Sequence, residues 1–354
     1  MNIHVLDQTF KDIYVIDSYI SVIWTRRYYS YGDCELYLSA EKEILDVLQC
    51  GYYLVREQDI KSTGLYNVMI INSREIQTDA ENGDNLTVKG WCLKSILKRR
   101  VIIDQTVLQG TIQACLHSLI DQNIINPTNA SRQISNFTLG TDTFTDDTKV
   151  KMQITGKNLA EAFEEICLSY GIGYDVYLYN GNFVFYLYKG LDRSYAQNVN
   201  AHVVVSEAFD NLLSSDYEQN NTEFANVAIV AGEGEGNARK KVTVGTASGL
   251  ERYEMWVDAR NASSNDGEIA EAQYLAMLAT DGQDALSEAK ATIVLSGEII
   301  NGVSFIINKD YFLGDVIQFE NNYGISAATR VIEVIESDDD TGENIIPTFS
   351  DMEV

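Results

Sequence analysis

The chain is short of most of what catalysis or anchoring requires. Proline is nearly absent: Pro127 and Pro347 stand against 24 glycines in 354 residues. Turns must therefore rest on Gly, Asn and Asp, which suits tight hairpins. The three histidines, His4, His117 and His202, are remote from one another, no Cys pair has ligand spacing, and there is no His-Glu-x-x-His run. A catalytic zinc centre is not expected from such a set. The five cysteines, Cys34, Cys50, Cys92, Cys115 and Cys167, are odd in number and scattered. They read as buried thiols of a protein made in the cytosol, not as a disulfide framework.

Basic residues are also scarce. Lys and Arg number 26 against 52 Asp and Glu, a net charge of −26. This argues against a surface that grips nucleic-acid phosphates or anionic lipid, both of which need clustered cations. A surface past which DNA slides without sticking remains compatible, because like charges repel. No run reaches the roughly 18 apolar residues of a membrane-spanning helix. The start, Met1-Asn2-Ile3-His4-Val5-Leu6-Asp7, lacks a basic segment followed by an apolar one, so no signal peptide and no membrane anchor are expected.

What is present is core-forming material. Hydrophobic residues make up 45% and aromatics 10%, enough for two to four domains at this length. The 21 tyrosines suit half-buried strands and subunit interfaces alike.

Two stretches share one plan. Gly51-Tyr52-Tyr53-Leu54-Val55 leads to Val68–Thr78, then to the turn Asn82-Gly83-Asp84-Asn85 and to Leu86-Thr87-Val88. Gly314-Asp315-Val316-Ile317-Gln318 leads through Asn321–Gly324 to Thr329–Glu336, then to Thr341-Gly342-Glu343-Asn344 and Ile345-Ile346. Each is a glycine-led strand, a return strand, an acidic glycine turn and a third strand. Two such modules in one chain let three copies offer six near-equivalent contacts.

Between them, the patterning predicts smaller units. Period-two alternation in Ile20, Val22, Trp24 and in Cys34, Leu36, Leu38 marks early strands, and Ala40–Leu48 and Trp91–Lys98 read as short helices. Ile112, Cys115, Leu116, Leu119 and Ile120 form one helical stripe within Gln109–Gln122, with His117 off its centre and exposed. Asn126–Lys149 reads as a long connection. Leu159–Tyr170 is a helix capped by Asn158 and Gly171, followed by a hairpin around Asn180-Gly181. Glu268–Ala291 is mostly helix-forming, with Gly282 as a point of interruption, and Ile299–Ile307 reads as a strand.

No constellation compels a chemistry. Gly232–Gly236 invites a phosphate cradle, but Glu233 and Glu235 would repel an anion and no Lys-Ser/Thr pair follows; a flexible hairpin tip is expected. Asp338, Asp339, Asp340 and Glu343 around Gly342 could catch calcium, yet the order of an EF-hand loop is absent, and a solvated acidic turn is expected. There is no Gly-x-Ser-x-Gly elbow. No catalytic, cofactor-binding or metal-ligating residue is assigned.

Four segments carry a family resemblance: Tyr31–Leu38; Asn226–Gly236 running on to Arg239; Arg252–Arg260; and Gly314-Asp315-Val316 with Thr329–Val334 and Pro347-Thr348-Phe349. Together they resemble the siphophage tail-hub proteins, the tail-associated or baseplate-hub family also found in prophages. The resemblance implies a β-rich α+β fold of two β-barrel-like modules with smaller α+β insertions, divided at 1–105, 106–200 and 201–354. It implies a homotrimeric ring at the virion tail tip that joins a six-fold tube to a three-fold tip and forms a gated channel. Its partners would be distal tail and tail-tube proteins, the tape-measure protein and tip or receptor-binding proteins. Some relatives continue into a peptidase or receptor-binding extension; the chain stops at Val354, so no such activity is expected, and no cofactor. Two other functions fit the composition: a carbohydrate-binding tail protein stacking sugars on Trp24, Trp91 and Trp256, and a cell-wall hydrolase using an unrecognised carboxylate pair.

Overall fold

A computed structural model describes residues 1–79, 83–265, 267–299, 304–321, 323 and 326–350. Strands take 41% of the chain and helices 22%, which makes the fold α+β and β-rich.

The N-terminal part builds β1 (Ile3–Leu6), β2 (Asp12–Ile16), β3 (Ser21–Arg27), β4 (Asp33–Ser39), the short helix α1 (Lys42–Val47) and β5 (Tyr53–Arg56). The small ladder of β6 (Ile60–Lys61) and β7 (Gly64–Leu65) precedes the long strands β8 (Met69–Asp79) and β9 (Gly83–Cys92). Residue 82, placed in the turn by the sequence pattern, lies outside the described residues. Alternation does the sorting here: Val22, Trp24, Cys34, Leu36, Leu38, Leu86 and Val88 face one core, while Ile23, Glu35 and Tyr37 between them lie on the other face.

The middle part holds β10 (Thr106–Thr111), α2 (Ile112–Ile120), β11 (Phe137–Leu139), β12 (Lys149–Ile154), α3 (Leu159–Tyr170), β13 (Gly173–Tyr179) and β14 (Asn182–Tyr188). The expected helix from Gln109 starts later, because Gln109–Thr111 pair with Lys149–Lys151 of β12 and Thr111 becomes the cap, accepting from the Ala114 N–H. Phe163 is fully buried and meets Tyr174 and Phe185 edge-on, so the helix-on-hairpin unit packs as its stripe requires. One continuous core runs from this unit into the N-terminal sheet, from Leu116 and Phe163 to Val55 and Ile70.

The C-terminal part begins with β15 (Val204–Ser206) and β16 (Leu212–Asn220). A three-stranded sheet follows, β17 (Val227–Ala231) flanked by β18 (Lys241–Val244) and β19 (Glu254–Asp258), with α4 (Glu271–Glu288) packed on it. Gly282 does not interrupt α4. It is buried where a Cβ would stand 2.6 Å from Val230 and 2.8 Å from Val244, so it lets the helix lie close on the sheet. Last come β20 (Thr292–Ile299), β21 (Val316–Glu320), β22 (Ser326–Asp339) and β23 (Gly342–Phe349). The strand expected over Ile299–Ile307 therefore lies earlier; residues 300–303, like Gly324 of the expected turn, fall outside the described residues.

Thirteen strands form one sheet, in the order β16-β20-β23-β22-β3-β4-β9-β8-β5-β1-β2, with β21 also on β22 and β15 on β21. Among the described residues this path stays open at both ends. The five strands β3-β4-β9-β8-β5 and the five strands β16-β20-β23-β22-β21 are antiparallel neighbours in the same order.

The match extends to single bonds. Gly51 N–H donates to Ile71 O at 2.8 Å, and Gly314 N–H donates to Val331 O at 2.8 Å. Ile71 N–H donates to Tyr52 O, and Val331 N–H to Asp315 O, both at 2.9 Å. Both glycines have positive φ, 85° and 95°, which a side chain would resist. Each long strand then bulges at one place, between Ile71 and Ser73 in β8 and between Val331 and Glu333 in β22.

Candidate functional site

The two modules meet where β3 pairs with β22, Arg27 opposite Glu333 through Ser21 opposite Asp339. Register fixes what lies beneath. Glu336 stands opposite Trp24 and is almost fully buried, accepting from Arg56 Nη1 at 2.5 Å and from Arg26 Nη2 at 2.6 Å. Arg56 is 1% exposed; it also donates Nε to Asp59 at 2.6 Å and lies 5.1 Å from the centre of the Trp24 ring. Burial opposes ionisation of Glu336, but Arg26 and Arg56 outweigh it and hold the carboxyl below its ordinary range. This ion cluster couples β22 to β3 and β5 across some 280 residues of sequence.

Beside it, Tyr28 joins all three parts. Its hydroxyl donates to Gly171 O at 3.2 Å or Tyr188 O at 3.3 Å and accepts from Gly190 N–H at 3.3 Å. The ring fits against Gly173 and Gly314, where any Cβ would collide with it. Buried Asp315 accepts from Leu191 N–H and Arg193 Nε, each at 2.7 Å. A cavity of 680 Å³ opens along this seam, lined among others by Arg26, Arg56, Asp59, Asp315 and Glu336. On its wall Glu336 pairs with Arg26 and Arg56, Arg56 also with Asp59, and Arg193 with Asp315, so these ion pairs bridge the parts that meet there.

The face of the joined sheet turned away from the cores is polar. By register, Arg27, Asp33, Glu35, Glu75, Lys89, Glu333 and Asp339 share it. Among these residues five carboxylates face two cations. Arg27 binds Glu333 at 2.6 Å and Asp33 at 2.5 Å, and Lys89 binds Glu35 at 2.7 Å.

A second cavity, 410 Å³, lies between α3, α4 and β12. Glu165, Asp281, Asp284 and Glu288 line it with one cation, Lys157, which pairs with Glu165. Burial, with Asp284 adding to it, pushes the Asp281 carboxyl up to about 7; burial, with Glu288 and Glu165, pushes Asp284 up to about 6. Asp281 and Asp284 are one helical turn apart on α4, a pairing that a sequence with 52 acidic residues could not single out.

The sequence candidates go elsewhere. Gly232–Gly236 does form the tip between β17 and β18, but it is held: the Tyr274 hydroxyl accepts from Glu233 N–H at 2.7 Å, and Arg239 Nε donates to Gly232 O at 2.7 Å. Asp338 takes the Met1 amino group at 3.3 Å and the Tyr19 hydroxyl, while Asp339 closes its own turn through Thr341 N–H at 2.8 Å. Among the described residues no group of three or more His, Cys, Asp or Glu could hold a metal ion. Cys34, Cys92, Cys115 and Cys167 are buried free thiols and Cys50 is exposed. His117 is half-buried, 3.1 Å from Asp142. Trp24 is buried and Trp91 lies 5.5 Å from Tyr31 and 4.2 Å from Lys98 Nζ; Trp256 is 54% exposed.

A family model, the Siphovirus ReqiPepy6 Gp37-like proteins, matches residues 2–350. The chain belongs to this family. It is a phage tail protein of the siphovirus type. Its fold is similar to that of the tail protein from Neisseria meningitidis MC58, at TM-score 0.57 and 12% identity over 99% of this chain and 96% of that one. It is similar as well to the 43 kDa tail protein of prophage MuSo2 from Shewanella oneidensis, at TM-score 0.58 and 10% identity over 99% and 98% of the two chains. Prophage tail protein gp18 from Listeria monocytogenes EGD-e gives TM-score 0.50 and 12% identity over 98% and 94%. No curated protein matches in sequence. A structural role in the tail follows from family and fold together.

Proposed function

We propose that the chain is the ring-forming hub of a siphophage tail tip, a homotrimer that joins a six-fold tube to a three-fold tip and does no chemistry of its own. The observation that carries this reading is the duplicated module: two five-strand sheets of one order, with matched glycine bonds and matched bulges. Three such chains would present six near-equivalent sheets, which is what a three-fold part needs to meet a six-fold one. The polar face of the joined sheet would line the channel, where the five carboxylates against two cations named above would keep a polyanion from adhering. The partners would be tail-tube, distal tail, tape-measure and tip proteins.

Solution mass tests the proposal. Three copies per particle are expected, and an image of the assembled tail should place the chain at the tip. A single copy at every concentration would sink the ring. Turnover of peptidoglycan that is lost on Asp281→Asn or Asp284→Asn would overturn the non-enzymatic reading, and tight duplex binding at physiological salt would overturn the non-stick channel.

A further inference from the structure

The unit inserted between β16 and β20 is built as a body of its own. β18, β17 and β19 form a sheet apart from the large one, and Ala228, Val230, Tyr274 and Leu278 form a core of their own under α4. Two stretches of chain join the unit to the rest, residues 221–226 and 289–291. Ala225 N–H donates to Ala289 O at 2.8 Å across them, which makes a two-stranded neck. A body on a narrow neck moves unless a large apolar interface fixes it. What α4 rests on, α3 and β12, therefore decides where the unit stands.

That resting place is polar and charged alike. In the 410 Å³ cavity, Asp281, Asp284 and Glu288 of α4 face Glu165 of α3, and the lining residues include one cation, Lys157, which pairs with Glu165. Met152, Gln153 and Ile154 of β12 and the loop residues Ala259, Asn261 and Ala262 bring no charge to it. On the sheet side of α4, Val230 and Val244 bring none either. Tyr170 of α3 and Tyr274 of α4 interact with Asp284 and Asp281, but burial raises both phenols above the ordinary 10.0 and keeps them neutral. Gln153 adds a second mark: its amide nitrogen and oxygen are both buried, and neither has a hydrogen-bond partner. A joint that stays shut satisfies such groups, as Arg26 and Arg56 do for Glu336. Here, opening to water would relieve the carboxylates and the amide together.

We infer that the inserted unit is a proton-controlled arm, docked with α4 on α3 while Asp281 and Asp284 are protonated and released about its neck when they ionise. This goes beyond the ring reading and does not depend on it, because a single copy holds the whole device. Docked, the two carboxyls hold their protons to about 7 and about 6, through burial first and neighbouring carboxylates second. Released into water, they return towards the ordinary 3.8. Docking is therefore at full strength below about pH 4, weakens as the pH climbs and is weakest above about pH 7, with up to two protons lost for each arm released. Lys157 offsets one carboxylate only, so ionisation leaves the joint repelling itself.

A distance between two spin labels tests the arm. In a Cys50→Ser chain the remaining native thiols are buried, so exposed Leu168 on α3 and exposed Gln283 on α4 can be changed to Cys and labelled. Labelled chain is diluted in unlabelled chain, so that distances within one copy are read. One distance is expected at pH 5 and a longer one at pH 8, with the circular dichroism of the folded chain unchanged. Asp281→Asn with Asp284→Asn should hold the shorter distance at pH 8 and lower the released fraction by roughly ten-fold or more. The same distance at both pH values in the chain with both aspartates would overturn the inference. So would release at pH 8 in the double-Asn chain equal to that of its parent, or loss of the whole fold in place of release.

Discussion

The two modules share an order of strands but solve their edges differently. At the inner joint, β22 carries Glu336 against Arg26 and Arg56, charged and buried. At the equivalent place on β8 stands Ile76, apolar and exposed. They differ too in what sits between their first two strands. The N-terminal module crosses from β3 to β4 in a few residues, whereas the C-terminal one inserts the whole β17–α4 unit between β16 and β20. A joint made within one chain has its partners tethered, so it tolerates a desolvated charge cluster that specifies a single pairing. An exposed edge keeps its charges hydrated and carries only a small apolar patch.

The sharpest way to break this comparison is at Glu336. Glu336→Ala leaves Arg56, 1% exposed, without one of its two carboxylates, and should cost roughly 3–5 kcal/mol in chemical denaturation. Replacing Glu336, Arg26 and Arg56 together by apolar residues should recover much of that loss. A cost under about 1 kcal/mol for the single change would show that the cluster does not hold the joint.

The two leading glycines come next. Both need positive φ, so Gly51→Ala should cost about 1–2 kcal/mol from backbone strain alone. Gly314→Ala should cost more, because its methyl would also meet the Tyr28 ring, whereas at Gly51 the nearest atom is the far end of Gln8 at 3.3 Å. Equal costs would mean that Tyr28 is not the fixed hub of the three parts.

The inserted unit makes a pH prediction. Asp281 and Asp284 have folded-state values raised above the ordinary 3.8, to about 7 and about 6. Between those limits the folded chain binds more protons than the unfolded one, so stability rises as pH falls from about 8 towards about 5. Asp281→Asn should stabilise the chain at about pH 8 by roughly 1–3 kcal/mol and flatten the profile. A profile unchanged by the substitution would show that the cavity between α3 and α4 is wetter than its walls suggest. The smallest effect belongs to the open edge: Ile76→Ala should change single-copy stability by under about 0.5 kcal/mol, because the side chain is half exposed.

Much of the fold was legible because it depends on local periodicity. The alternation of Val22, Trp24, Leu36 and Leu38, the Asn180-Gly181 turn and the stripe of α3 each state a buried face directly. The helix from Gln109 starts later than its pattern predicts because pairing of Gln109–Thr111 with Lys149–Lys151 of β12, remote in sequence, overrides the helical pattern of its first turn. Gly282 read as a break because its reason, close packing on Val230 and Val244, lies outside its own helix. Gly232–Gly236 carried no mark of Tyr274 and Arg239, which hold it.

By itself, the sequence determined that the chain is acidic, β-rich and internally repeated, because charge balance, period-two alternation and glycine-led turns are written residue by residue. Only the tertiary structure decided that Glu336 meets Arg26 and Arg56 and that the Tyr28 ring seats Gly173 and Gly314 from separate parts. These are contacts between residues more than a hundred positions apart, and their energies come from burial and register, which no local pattern encodes.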